Sequence, residues 1–206
     1  MEPTQYLGPI LSVIDLLGIA VFAASGALQA AQQRQTLVTF AFFALVTGTG
    51  GGTVRDMLIG APVFWVVDSR YPLICLVTAL LVWMTPRAWW KDRALDWFDA
   101  IGLAAYAVYG AAKALSAGIA PLPAAMMGVV TACMGGIIRD VLAGQPSIIL
   151  RPELYVTAAV LAAALFVLLV LAGMAVPVAA ILAALAGFLL RALAIVRGLA
   201  LPVYRG

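Results

Sequence analysis

Histidine is absent from this chain, and acidic and basic residues together make up only 10% of it. The first absence removes the commonest general base and the commonest metal ligand. The second is foreign to a soluble domain, where about 25% of residues are charged and about 45–50% apolar. Cysteine is scarce as well. Cys75 and Cys133 stand in separate apolar runs without CxxC spacing, so they read as small buried hydrophobes and not as a disulfide framework or a metal site. No GxxxxGK(S/T) segment occurs, which argues against ATP as the energy source. No serine, threonine or cysteine has a base beside it at a recognisable spacing, so an enzyme is disfavoured. The net charge of +3 is scattered between apolar runs, which leaves no basic patch for nucleic acid.

What the chain does have is apolar length: 65% of its 206 residues are hydrophobic, with a mean hydropathy of +1.10. Disorder is excluded on the same ground. The bilayer is the natural solvent, and a spanning helix needs about 20 apolar residues. Long apolar runs predict seven spans, at residues 9–31, 37–59, 71–86, 97–115, 121–143, 154–172 and 175–196. Pro86, Pro121, Pro152 and Pro177 fall near their ends, where proline is tolerated. The opening Met1-Glu2-Pro3 has no basic residue, so the first run is expected to be a retained helix and not a signal peptide. Trp65, Trp83, Trp89, Trp90 and Trp97 cluster at span ends, as an interfacial belt would.

Seven spans put the termini on opposite sides. Arg70 and Lys113 flank the spans on the N-terminal side; Arg34, Arg87, Lys91, Arg93, Arg151, Arg191, Arg197 and Arg205 flank them on the other. Eight against two predicts a plasma (inner) membrane protein with its N-terminus outside and its C-terminus in the cytoplasm.

The strongest signal is a duplication at an offset of 84, with 18 identities over positions 15–71 and no gap. Asp15 matches Asp99, Gly18 matches Gly102, and Gly26-Ala27 matches Gly110-Ala111. The string Gly51-Gly52-x-x-Arg55-Asp56-x-Leu58-x-Gly60-x-Pro62 returns as Gly135-Gly136-x-x-Arg139-Asp140-x-Leu142-x-Gly144-x-Pro146, and Tyr71 returns as Tyr155. Each copy holds three spans, so the second enters the membrane from the opposite side. The fold class expected is therefore an all-α membrane protein of two inverted three-helix repeats plus a seventh helix. Residues 1–86 form the first repeat, 87–96 a cytoplasmic linker, 97–172 the second repeat, and 173–206 the seventh helix and tail. Inverted repeats place a substrate or ion path at their interface near the midplane. A purely structural duplication is the alternative.

Spans two and five carry Gly50-Gly51-Gly52 and Gly135-Gly136. Each glycine costs a helix about 1 kcal/mol relative to alanine, which invites a kink or an unwound segment. Unwound backbone survives in a membrane where it is packed in protein or lines water, and its carbonyls can replace the water around a cation. Tight helix crossing through small residues is the competing reading. Arg55-Asp56 and Arg139-Asp140 follow within the apolar runs. Such residues cost about 2.5–3.5 kcal/mol at mid-membrane and face a bundle interior or an aqueous cavity. Two clusters are expected, Asp15/Arg55/Asp56 and Asp99/Arg139/Asp140, either capping one path or pinning helices together. Thr47 and Thr131 stand one turn before the paired glycines and either line a path or bond back to their own helix. Lys113, whose repeat partner is Gln29, is expected to snorkel. Were it to reach a path, it could sense voltage, at about 2.3 kcal/mol per charge per 100 mV.

The paired G-G-x-x-R-D motifs, the ungapped three-plus-three repeat and the extra span resemble a prokaryotic member of the trimeric intracellular cation channel (TRIC) family, whose domain is also labelled a glycine transporter. The resemblance covers nearly the whole chain. It implies a homotrimer embedded in membrane lipid, with a cation path inside each protomer lined by spans two and five. The carry-over falls on Gly50, Gly51, Gly52, Arg55, Asp56, Gly135, Gly136, Arg139 and Asp140. It implies potassium as the main ion, sodium as a weaker one, no cofactor beyond transported ion and bound lipid, and no ATP. The animal members' basic lipid-binding motif has no clear match near Lys113-Ala114-Leu115. The leading function is a passive potassium channel; a secondary transporter of glycine or a similar zwitterion, whose ammonium and carboxylate an Arg/Asp pair would suit, is the second reading, and an accessory membrane protein without a path the third.

Overall fold

The computed structural model describes residues 4–86, 89–90, 93–150, 152–202 and 204. Met1-Glu2-Pro3, much of the linker, and Arg87, Lys91, Arg151 and Arg205 of the flanking charges lie outside them. The elements run α1 (Thr4–Gln32), α2 (Leu37–Leu58), α3 (Phe64–Val67), α4 (Arg70–Met84), α5 (Ala94–Ser116), α6 (Pro121–Leu142), a 3-10 turn at Ile148–Leu150, α7 (Val156–Leu171) and α8 (Val176–Arg197). The seven expected spans are α1, α2 and α4 to α8, each ending within a few residues of its predicted bounds apart from the start of α1. The chain is an all-α membrane protein. Among the described residues, four helices are long and apolar enough to cross a membrane outright, in α1, α2, α6 and α8. The apolar helices α4 and α7 are shorter, and α5 carries Asp96, Asp99 and Lys113.

Sequence dictates how α2 and α6 end. Gly60 and Gly144 take left-handed φ values of 69° and 64°, which only glycine adopts cheaply. Ala61 N–H then bonds back to the Asp56 carbonyl at 2.9 Å, and Gln145 N–H to the Asp140 carbonyl at 2.9 Å. This is a glycine-terminated helix stop with proline two residues on. The repeated D-x-L-x-G-x-P string is thus a helix terminator that holds Arg55-Asp56 and Arg139-Asp140 in the last turn of their helices. The chain reverses after each stop, into α3 in one repeat and the 3-10 turn at the equivalent position in the other.

Helices α2 and α6 cross at the centre, α1 packs on α5, and α4 and α7 each complete their own repeat. Small residues make these approaches possible. Gly187 of α8 lies so close to α7 that an added Cβ would meet the Ala162 Cβ at 2.7 Å. Helix α8 packs on α7 and α5, so it covers the second repeat and breaks the pseudo-symmetry.

Candidate functional site: two arginine–aspartate clusters about a helix crossing

At the α2–α6 crossing the two repeats meet through their backbones. A Cβ on Gly51 would collide with the Thr131 carbonyl, and one on Gly135 with the Thr47 carbonyl. The equivalence is that of the repeat, so the pseudo-two-fold axis passes through this crossing. Both helices run through their glycines without interruption, α2 from Leu37 to Leu58 and α6 from Pro121 to Leu142. Of the two readings left open, the structure shows close helix crossing at Gly51 and Gly135, and no unwound segment among the described residues of either helix. Gly50 faces the Ile138 side chain, Gly52 lies against the Phe64 ring, and Gly136 lies beside the Tyr155 hydroxyl and Asp99. Thr131 Oγ1 donates back to the Met127 carbonyl at 2.6 Å, whereas Thr47 Oγ1 is buried without a hydrogen bond among the described residues.

The first cluster surrounds Asp56. Its Oδ1 accepts from Arg55 Nε at 2.9 Å and from Lys113 Nζ at 2.8 Å, and its Oδ2 accepts from the Phe64 backbone N–H at 3.1 Å. Arg55 and Asp56 are fully buried. The guanidinium lies over the Tyr109 ring at 5.3 Å, a cation–π contact in a dry setting. Tyr109 in turn donates to Asp15 Oδ2 at 3.0 Å, joined there by Tyr71 at 2.8 Å, while Tyr106 donates to Oδ1 at 2.7 Å. Asp15 is thus held by three tyrosine hydroxyls from α4 and α5, and one of these, Tyr109, also lies under the Arg55 guanidinium. Lys113 does not snorkel outward as expected: its ammonium turns in to Asp56.

The second cluster repeats the core of the first. Asp140 Oδ1 accepts from Arg139 Nε at 2.9 Å, and its Oδ2 from the Ile148 backbone N–H at 2.9 Å. Here Arg139 Nη1 also binds Asp99 Oδ1 directly at 2.6 Å, and it contacts Ser25 Oγ of α1. The lysine is missing. Its counterpart Gln29 instead lines a cavity of about 330 Å³ with Gln32, Gln33, Asp96, Arg139 and Asp140.

Sequence reasoning missed Tyr106 and Tyr109, because their repeat partners are Phe22 and Ser25 and no duplication marks them. It also placed Arg191 among flanking charges. The side chain is in fact buried, 2.8 Å from Glu153 and 5.3 Å over the Tyr155 ring. The signal available was its position, within the last apolar run and not after it.

A family model described as glycine transporter matches this chain twice, over residues 12–87 and 96–171. The chain belongs to the glycine transporter family. The two matches coincide with the two repeats, and α8 lies outside both. Among relatives in this family, a UPF0126 membrane protein of Vibrio cholerae is 44% identical over 158 residues, covering 74% of this chain and 65% of its own length. The UPF0126 inner membrane protein YadS of Escherichia coli K12 is 42% identical over 153 residues, covering 72% of this chain and 73% of its own. Among solved structures, the TRIC trimeric intracellular cation channel orthologue from Rhodobacter sphaeroides superposes with a TM-score of 0.85 at 41% identity, covering 92% of this chain and 99% of that one. A prokaryotic TRIC channel crystallised in 0.5 M KCl gives a TM-score of 0.84 at 27% identity, covering 92% and 97%. This family member therefore has the TRIC fold.

Proposed function

We propose that this protein is a passive monovalent cation channel, with potassium its main ion and one path inside each protomer of a homotrimer. The path passes between the repeats, along α2 and α6. In the orientation that the flanking charges favour, the cluster at Asp56 faces outward and the cluster at Asp140 faces the cytoplasm. The observation that carries this reading is the pair of buried carboxylates, Asp56 and Asp140, set at equivalent positions on either side of one tight crossing. Each is tied to an arginine, which reduces the positive charge a passing cation would meet. The crossing at Gly51 and Gly135 is the closed point, and conduction requires α2 and α6 to part there. Likeness to the TRIC channels supports the same reading. Recording purified protein in a planar bilayer under a potassium chloride gradient tests it. Discrete steps reversing near the potassium potential are expected; Asp56→Asn or Asp140→Asn then shifts conductance or selectivity.

One observation favours a second reading, a secondary transporter of glycine or a similar small zwitterion. A cavity opens beside Asp140, while Lys113 and Phe64 close over Asp56. Unequal access at the two ends is what alternating access by inverted repeats produces. Saturable glycine uptake into liposomes with a silent bilayer would decide for it.

A further inference from the structure

The two clusters differ by one cation. Asp15, Asp56, Arg55 and Lys113 balance to a formal charge of zero, whereas the equivalent Asp99, Asp140, Arg139 and Gln29 sum to −1. In the first cluster the balancing charge is a primary ammonium, Lys113 Nζ, 2.8 Å from Asp56 Oδ1. In the second, the equivalent residue is Gln29, and the cavity of about 330 Å³ adjoins Asp140. Gln29 is only 7% exposed and lines that cavity, and its amide makes no hydrogen bond among the described residues. Its amide faces the open space of the cavity.

We propose that this cavity binds a small primary amine, whose ammonium docks on Asp140 as that of Lys113 docks on Asp56. The pseudo-two-fold carries Lys113 Nζ to a point beside Asp140 Oδ1, so the protein's own cluster at Asp56 shows the geometry of the bound group. The volume lies at the lower end of small-molecule sites, about 300–1,000 Å³, and exceeds what a bare ion fills. The walls suit the rest of a polar amine, with Gln29, Gln32, Gln33 and Gln145 offering amide groups. A carboxylate fits less well. Each side-chain nitrogen of Arg139 already faces Asp99, Asp140 or Ser25. The inference deepens the reading above and rests on it only for placing Asp140 on the path.

The test is thermal unfolding of the purified full-length protein in detergent at constant ionic strength. Methylammonium chloride replaces tetramethylammonium chloride, which has no N–H to donate. A ligand that binds only the folded state raises Tm with saturation, and that rise is the expected result. Gln29→Lys tethers an ammonium at the same place; it is expected to melt higher without amine and to lose the response. Lys113→Gln is expected to add a second, independent response at Asp56. Asp140→Asn weakens the apparent affinity by about tenfold or more. No response in the native protein overturns the proposal, as does a response that survives in Gln29→Lys. An equal response to potassium chloride overturns the amine assignment and leaves a general cation site. Channel currents without a methylammonium response sink this inference alone, and a response without currents sinks the channel reading alone.

Discussion

The carbonyl oxygen of Thr131 occupies the space that a Cβ on Gly51 would need. Backbone cannot rotate away as a side chain can, so Gly51→Ala forces α2 and α6 apart. Overpacking of this kind costs about 1–3 kcal/mol. Gly50→Ala is the control, since its Cβ would meet the flexible Ile138 Cδ1 at 3.0 Å. Thermal melting in detergent should show Gly51→Ala clearly destabilised, Gly135→Ala likewise by symmetry, and Gly50→Ala close to the parent. Equal melting of all three would remove the crossing from its central place.

The three tyrosines on Asp15 are unequal. Tyr106 is buried and its hydroxyl serves both Oδ1 and the Asp15 carbonyl, at 2.7 and 2.9 Å. Tyr71 is only half-buried, so water can replace its hydroxyl. A hydrogen bond to a charged group contributes about 1.5–3 kcal/mol. Tyr106→Phe is therefore expected to lose stability in that range and Tyr71→Phe less. A Tyr71→Phe loss that matches or exceeds that of Tyr106→Phe would show that burial does not set the order.

Lys113 and Asp56 should couple energetically, because Asp56 is fully buried and Lys113, 27% exposed, is in direct contact with it. In a double-mutant cycle with Lys113→Met and Asp56→Asn, an interaction of about 0.5–3 kcal/mol is expected. The mirrored cycle, Gln29→Ala with Asp140→Asn, should give close to zero, since no hydrogen bond joins that pair among the described residues. Comparable coupling in both cycles would mean that the clusters are electrostatically alike, contrary to their geometry.

The spans, the duplication and the buried Arg-Asp pairs were legible because each is written in the one-dimensional pattern: apolar length, a fixed offset, charge inside an apolar run. The use of the glycines was not. Unwinding and close approach call for the same residues, and only the partner carbonyls of Thr47 and Thr131 decide between them. The tyrosine cage of Asp15 was hidden for a related reason. Tyr106 and Tyr109 lie on α5, opposite an aspartate of α1 more than ninety residues distant for Tyr106, and they have no tyrosine counterpart in the first repeat. The cavity follows from a difference, Gln29 against Lys113, that the sequence displayed without saying which of the two was filled.

Arg191 sets the last prediction. Its side chain is 2% exposed and that of its partner Glu153 39%, so the two halves of the pair are not equivalent on removal. Arg191→Met leaves a carboxylate that can turn to water. Glu153→Gln leaves a guanidinium whose Nε has no hydrogen-bond partner among the described residues, with the Tyr155 ring as its main support. Breaking a fully buried pair costs about 3–5 kcal/mol; access of Glu153 to water reduces that for Arg191→Met. Glu153→Gln is therefore expected to melt lower than Arg191→Met, the reverse of the order that side-chain size would give. The exposed pair Arg70–Asp68 is the reference. The Arg70 side chain holds the Asp68 carboxyl below the usual carboxylate range, so any contribution is present at neutral pH and lost as pH falls through that lowered value. Because such surface pairs are well solvated, Arg70→Ala should leave melting unchanged at pH 7. Melting curves of the three variants side by side decide the order, and Arg191→Met falling below Glu153→Gln would show that packing of the long side chain against α7, and not its charge, is what α8 depends on.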